Sequence, residues 1–356
     1  MLAPSSGPWN TFSRRCRPQG WESGCGVMLM SKVPLTSIVW PPAAWAATHA
    51  VTSNREMARF IVAPVRFASH SRPHTPAPMI GKTRHATQTP ADEPRGVLVP
   101  RFEQGRFSHD RQAPCAALAE LVEHYWHVAW DMDGHPPQTQ ETLPHPNVHL
   151  VIEHDTEGIH GVHTARYTKL LAGRGFAFGI KFRPGGFQPF LGRPLATIAD
   201  SKLAPDTVFG AAGLAYAQHI RSCGDAPSRF AAAEALLLAR LPQLAVHGDV
   251  ARANALVAAI AADTGMVTVD ALAEHSGLNK RSLQRLFQHY VGVGPKWVIK
   301  RYRMHEAVAQ LQAGVPVKLA QLALDLGYFD QAHFVNEFTA LVGKPPGEYL
   351  RTLPAG

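Results

Sequence analysis

Lys280, Arg281, Gln284 and Arg285 recur at a spacing that places all four side chains on one side of a helix. Arginine and lysine can donate to phosphates or to guanine, and glutamine can pair with adenine, so this face has the chemistry to read a major groove. Gln331, His333 and Asn336 form a second polar face about fifty residues on. Between them, Lys296, Lys300 and Arg301 are candidates for phosphate contact. The plain alternative is a solvated helix surface, and the elements beneath these residues decide against it.

Those elements form one unit written twice between Val267 and Tyr349. Ala273, Gly277 and Leu278 correspond to Ala323, Gly327 and Tyr328, and past the turn Leu283, Phe287, Gly292 and Pro295 correspond to Phe334, Phe338, Gly343 and Pro346. The offset grows by one residue at the turn. In the first copy Thr268 suits an N-cap, Gly277 a left-handed turn and Asn279 a second N-cap. Leu283, Leu286 and Phe287 then make a buried stripe. In the second copy Leu319, Leu322, Ala323 and Leu326 are apolar, Gly327 turns the chain, and Asp330 caps a helix buried through Phe334 and Phe338. A helix from Pro295 toward Gly314, about 27 Å long, spaces the two units.

This segment resembles the tandem helix-turn-helix domain of the AraC/XylS family of bacterial transcription regulators. The residues carrying the resemblance run from Ala273 to Phe287, through "GVGPKWVIKRYRMHEAVAQL", to "LALDLGYFDQAHFVNEFTALVGKPPGEY". Asn336 and Glu337 stand where many relatives have an arginine-containing run, and Ala332 is short. The resemblance implies double-stranded DNA as a partner. A small-molecule effector, a second copy of the chain and RNA polymerase are further candidate partners, and no membrane is expected. It implies a non-enzymatic, cytoplasmic regulator without a cofactor or metal.

The net charge of +8 is unevenly spread. Lys and Arg number 11 against 4 Asp and Glu in residues 1–95, 13 against 15 in 96–250, and 11 against 8 in 251–356. The basic excess therefore lies mainly outside the repeat. Within it, His275 to His305 contains seven Lys or Arg and no acid, a local strip suited to phosphate. Cys16, Cys25, Cys115 and Cys223 form no C-x-x-C pair, which argues against a zinc finger or disulfide scaffold and fits a reducing compartment. Cys115 lacks the Pro-Cys-His-Arg setting of alkyl-acceptor repair proteins and reads as a small buried residue.

Residues 1–95, rich in Pro, Ser, Thr, Arg and His, read as a disordered extension or as translation from a start assigned too far upstream, with Met57 or Met79 as alternatives. Residues 96–245 are expected to form an antiparallel β-rich sensor-like domain with C-terminal helices, and 251–356 an all-α DNA-binding domain, making the fold α+β. "PCAALAE" reads as helical before a strand at Tyr125–Val128, whereas "PNVHLVIE" and "FAFGIKFRP" alternate as strands. "GAAGLAYAQHI" and "SRFAAAEALLLARL" read as helices. "EHYWHV", "LPHPNVHLVIE" and "GIKFRPGGFQPFLG" look like a sensor domain of uncharacterised ligand found upstream of such DNA-binding halves.

His145, His149, His154, His160 and His163 cluster without an H-x-H pair, and loop histidines are the expectation over a metal site. Gly185 and Gly186 suit a tight strand-to-helix turn better than an anion nest. Tyr125, Trp126, Lys181 and Arg183 are the residues expected to wall a ligand site. An enzyme or small-molecule-binding protein with its site in the middle region is the alternative reading, and a protein-binding scaffold is a third. No nucleophile elbow, metalloprotease helix or dinucleotide fingerprint supports the first of these.

Overall fold

A computed structural model describes residues 96–98 and 105–353. The readings made for residues 1–95 lie outside the described residues. An antiparallel β-rich half is followed by a helical half, in agreement with the α+β expectation.

Eight strands make up the first half: β1 (Arg106–Gln112), β2 (Val122–Asp131), β3 (Gln138–Thr142), β4 (His149–Glu153), β5 (Glu157–His160), β6 (Tyr167–Leu171), β7 (Arg174–Phe182) and β8 (Lys202–Leu203). Six pair in the order β1-β2-β7-β4-β5-β8, every pair antiparallel, while β3 and β6 form a separate two-stranded sheet. Alternation explains which face is buried. Phe178, Ile180 and Phe182 of β7 and Leu150 and Ile152 of β4 are sealed from solvent, as the period of two requires. Each such side chain contributes about 1.5–3 kcal/mol by leaving water.

Four helices follow β7 within this half: α1 (Gln188–Leu191), α2 (Asp206–Phe209), α3 (Ala211–Ser222) and α4 (Ala226–Arg240). Asp225 caps α4 by accepting from the Ser228 N–H at 2.8 Å. Tyr216 and Ile220 of α3, with Phe230 and Leu237 of α4, join the core of the sheet. One expectation fails here. The stretch before β2 forms only a single 3-10 turn, Ala116–Leu118. Val122 onward is instead claimed by pairing with β7, and from Tyr125 also with β1, which takes the backbone groups a longer helix would need.

Seven helices complete the described residues: α5 (Gly248–Ala262), α6 (Val269–Ser276), α7 (Lys280–Tyr290), α8 (Pro295–Gln312), α9 (Leu319–Asp325), α10 (Gln331–Val342) and α11 (Pro346–Thr352). The cores do not divide where the sequence composition changes. One apolar cluster runs from Leu118 and Phe178 through Val250 and Val257 to Leu283, Phe287 and Ile299, joining the sheet to the first repeat. A second gathers Leu322, Phe334, Phe338 and Tyr349 with Leu98 and Leu143.

Polar contacts stitch the same junction. Asn254 on α5 accepts from the Gly185 N–H at 2.9 Å and donates to the Glu120 carbonyl at 2.9 Å. A Cβ on Gly186 would lie 1.9 Å from the Leu121 carbonyl oxygen, so this glycine is required by close approach within a strand-to-helix turn. Gln188 and His289 are 3.1 Å apart, and the Tyr349 hydroxyl donates to the Leu98 carbonyl at 2.9 Å. Among the described residues, no helix is long and apolar enough to cross a membrane.

Candidate nucleic-acid interface

Each repeat is built by local rules visible in its hydrogen bonds. Thr268 accepts from the Ala271 N–H at 3.1 Å to start α6, and Gly277 ends it in the left-handed region at φ 66°. Asn279 then accepts from the Ser282 N–H at 2.9 Å, opening α7. In the second repeat Gly327 turns at φ 73° and Asp330 accepts from the His333 N–H at 2.7 Å, opening α10. From its glycine to its cap this turn is one residue longer than the first, Gly327 to Asp330 against Gly277 to Asn279, which accounts for the change in offset. Replacing any one of these caps by alanine removes the acceptor, leaves a backbone N–H unsatisfied and costs about 1 kcal/mol.

Burial fixes which way each second helix faces. Leu283, Leu286, Phe287 and Tyr290 of α7 are buried, while Lys280, Arg281, Gln284 and Arg285 are exposed. Phe334, Phe338 and Val342 of α10 are buried, while Gln331, His333 and Asn336 are exposed. Neither Gln284 nor Gln331 turns into the core. Lys280 lies 2.6 Å from Asp270, but both side chains stand mostly in water, so the pair is weak and the lysine remains within reach of a phosphate.

The spacer holds the two units at a fixed relation. α8 is 18 residues long, starts with Pro295 in its first turn, and ends before Gly314 at φ 70°. Arg303 on α8 donates to the Val267 carbonyl, and its guanidinium lies 5.8 Å from the Tyr328 ring centroid. A Cβ on Gly327 would fall 2.9 Å from Cγ1 of Val267, so the second turn abuts the start of the first unit.

The three spacer cations divide. Lys296 is exposed. Lys300 donates to Glu337 of α10 at 2.8 Å and so ties helix to helix. Arg301 does not fit a phosphate contact. It is 2 % exposed, donates to the Thr164 carbonyl of the β-rich half, and lies with its guanidinium 4.5 Å from the Trp297 ring centroid. Burial lowers its pKa to about 10, so it remains a cation at neutral pH, committed to the junction.

The four residues expected to wall a ligand site also separate. Tyr125 is sealed in the core, its ring 6.4 Å from that of Phe230 and its hydroxyl 3.4 Å from Glu234; burial pushes its pKa far up. Arg183 donates to the Ala119 carbonyl at 2.6 Å and braces the chain before β2. Trp126 and Lys181 share the opposite face of the sheet. A Cβ on Gly179 would lie 2.2 Å from the Trp126 ring, and Lys181 donates to Glu123 at 2.8 Å.

Three of the five histidines, His145, His154 and His163, lie in loops as expected, and His149 and His160 lie in strands. Only His154 is an exposed loop residue among those five. His145 stacks on His305 of α8, with ring centroids 4.0 Å apart, and His149 and His160 sit in facing strands. The pairing of His149 with His160 could not be read from spacing along one strand, because it depends on the register between two.

Two families match parts of the chain: a helix-turn-helix domain over residues 272–352, and a domain of unknown function, DUF6597, over residues 110–204. The HTH-type transcriptional activator AarP of Providencia stuartii is 34% identical over 86 residues, covering 24% of this chain and 63% of AarP. The HTH-type transcriptional regulator GlxA of Rhizobium meliloti is 32% identical over 81 residues, covering 23% of this chain and 25% of GlxA. The chain thus spans less than two thirds of the length of these curated relatives. The crystal structure of ToxT from Vibrio cholerae is 11% identical, covering 72% of this chain and all of ToxT at a TM-score of 0.31. These matches identify residues 272–352 as a helix-turn-helix domain, similar to those of HTH-type and AraC-like transcription regulators.

Proposed function

We propose that this protein is a sequence-specific, double-stranded-DNA-binding transcription regulator. The observation that carries the reading is the exposed row Lys280, Arg281, Gln284 and Arg285 on α7, set outward by four buried side chains and opened by the Asn279 cap. α7 enters one major groove, and α10 offers Gln331, His333 and Asn336 to the next. Lys296 contacts phosphate, with Lys280 as a second candidate. Phosphate contacts set affinity and salt dependence, and base contacts set the site.

The β-rich half regulates this binding, with a small molecule as effector. The shared core and the Asn254, Arg301 and Gln188 contacts support coupling, because a shift in the sheet would be felt by α5, α7 and α8. Mapping bound DNA across a genome, followed by titration of the recovered site, tests the first part. Arg281→Ala or Arg285→Ala should each weaken binding by about 1–3 kcal/mol for a lost bidentate base contact. Unchanged affinity in both variants would overturn the reading. Asn254→Ala in the full chain tests the second part: an effector response identical to wild type would disconnect the halves.

A further inference from the structure

Strand register brings five basic side chains into one row. His124 of β2 faces Lys181 of β7, Lys181 faces His149 of β4, His149 faces His160 of β5, and His160 faces Lys202 of β8. Directly opposed residues in antiparallel pairs share a face, so the row crosses five strands on the side away from Tyr125, Leu150 and Ile180. The acids nearby are engaged. Glu123 accepts from Lys181 at 2.8 Å and from Asn147 at 3.1 Å, and Glu153 accepts from Lys169 at 2.6 Å.

What the row leaves over are nitrogens. Neither the His149 nor the His160 ring is hydrogen-bonded to another described residue. Trp126 lies one step along the same face, its ring 6.3 Å from that of His149, and its indole N–H is buried without a hydrogen-bond partner. A buried donor left unsatisfied is costly, and native proteins rarely keep one without a use. Burial, then the neighbouring cations, hold the His149 imidazole well below its usual pKa, and His124 and His160 are lowered to about 4. The face is therefore rich in donors that an added negative charge would both satisfy and stabilise. A metal is a poor fit, since no three His, Cys, Asp or Glu among the described residues are placed to share one.

We propose that this face is a binding site for a small carboxylate-bearing molecule, its carboxylate set against His149, His160 and the Trp126 indole N–H. This rests on the reading of the protein as an effector-controlled regulator and names the chemistry of the effector. Val151, between Gly179 and Gly158 in the adjacent row, supplies an apolar floor for the body of the ligand. The Trp126 ring and the Lys202 stem, lying across those two glycines, form its sides.

Benzoate is a suitable probe, with benzamide as its uncharged counterpart, titrated against the full chain by calorimetry and by the indole N–H resonance of Trp126. Benzoate should bind saturably and shift that resonance, and benzamide should not. Trp126→Phe keeps the ring and removes the donor; it and His149→Gln should each weaken benzoate by roughly tenfold or more. His154→Gln, in an exposed loop, should bind as wild type. Operator binding without benzoate, unchanged in all three variants, verifies the fold independently. Absence of saturable binding, equal binding of benzamide, or wild-type affinity in both Trp126→Phe and His149→Gln would overturn the site even if DNA binding persists. Loss of DNA binding by the wild type would instead remove the regulator reading.

Discussion

The two helix-turn-helix units share a frame and differ in finish. Both use a left-handed glycine and a side-chain N-cap, and both bury two large apolar residues one helical turn apart. Yet α7 presents two arginines, a lysine and a glutamine, whereas α10 presents glutamine, histidine, asparagine and the short Ala332. Glu337, only 14 % exposed, holds Lys300 of α8 and lies 3.7 Å from His333, so an acid engages the lysine beside the second face. Their cores differ too: the first merges with the six-stranded sheet, and the second gathers Phe334, Phe338 and Tyr349 with Leu98 and Leu143. The two units thus share a scaffold while their outward residues differ, and on the proposed reading α7 is the stronger reader of DNA.

The largest test of that contrast lies in the cores. Phe287→Ala and Phe338→Ala each remove a fully buried ring and should cost about 3–5 kcal/mol in denaturant unfolding. Hydrogen exchange separates them. Phe287→Ala should also loosen the turn between β7 and α1, while Phe338→Ala should loosen α9 to α11 and spare the six-stranded sheet. Equal spread of exchange in both variants would erase the distinction.

Next in size is the reading face. Arg285→Ala should weaken operator binding by about 1–3 kcal/mol, and Asn336→Ala by less. The reverse order would make α10 the dominant reader.

The turns give a comparable, smaller pair. Gly277→Ala meets open space and should cost only about 1–2 kcal/mol for the left-handed conformation. Gly327→Ala meets Val267 as well, so it should be the more destabilising of the two in thermal unfolding. Smallest of all is Glu337→Gln. Releasing Lys300 should steepen the salt dependence of DNA binding by about one counterion, with little change in stability.

Much of the helical half is legible in the sequence because its signals are local. Caps, left-handed glycines and a 3.6-residue stripe lie within a dozen residues of one another, and Thr268, Asn279 and Asp330 all cap as their positions implied. Arg301 was misassigned because helix periodicity does not reveal a second domain packed against the spacer. Tyr125 and Trp126 are neighbours in sequence but occupy opposite faces of β2, so the aromatic pair could not be one wall. The histidine row depends on five strands in register, which no window along the chain contains.

Footprinting of the full chain on its operator, in wild type and with Arg281 and Arg285 both replaced by alanine, bears most directly on two outward helices reading one duplex. Wild type should protect two segments on the same face, about one helical turn or 34 Å apart, and the double variant should lose the segment bound by α7 first. Protection confined to one segment, protection on opposite faces, or a footprint indifferent to both arginines would contradict it.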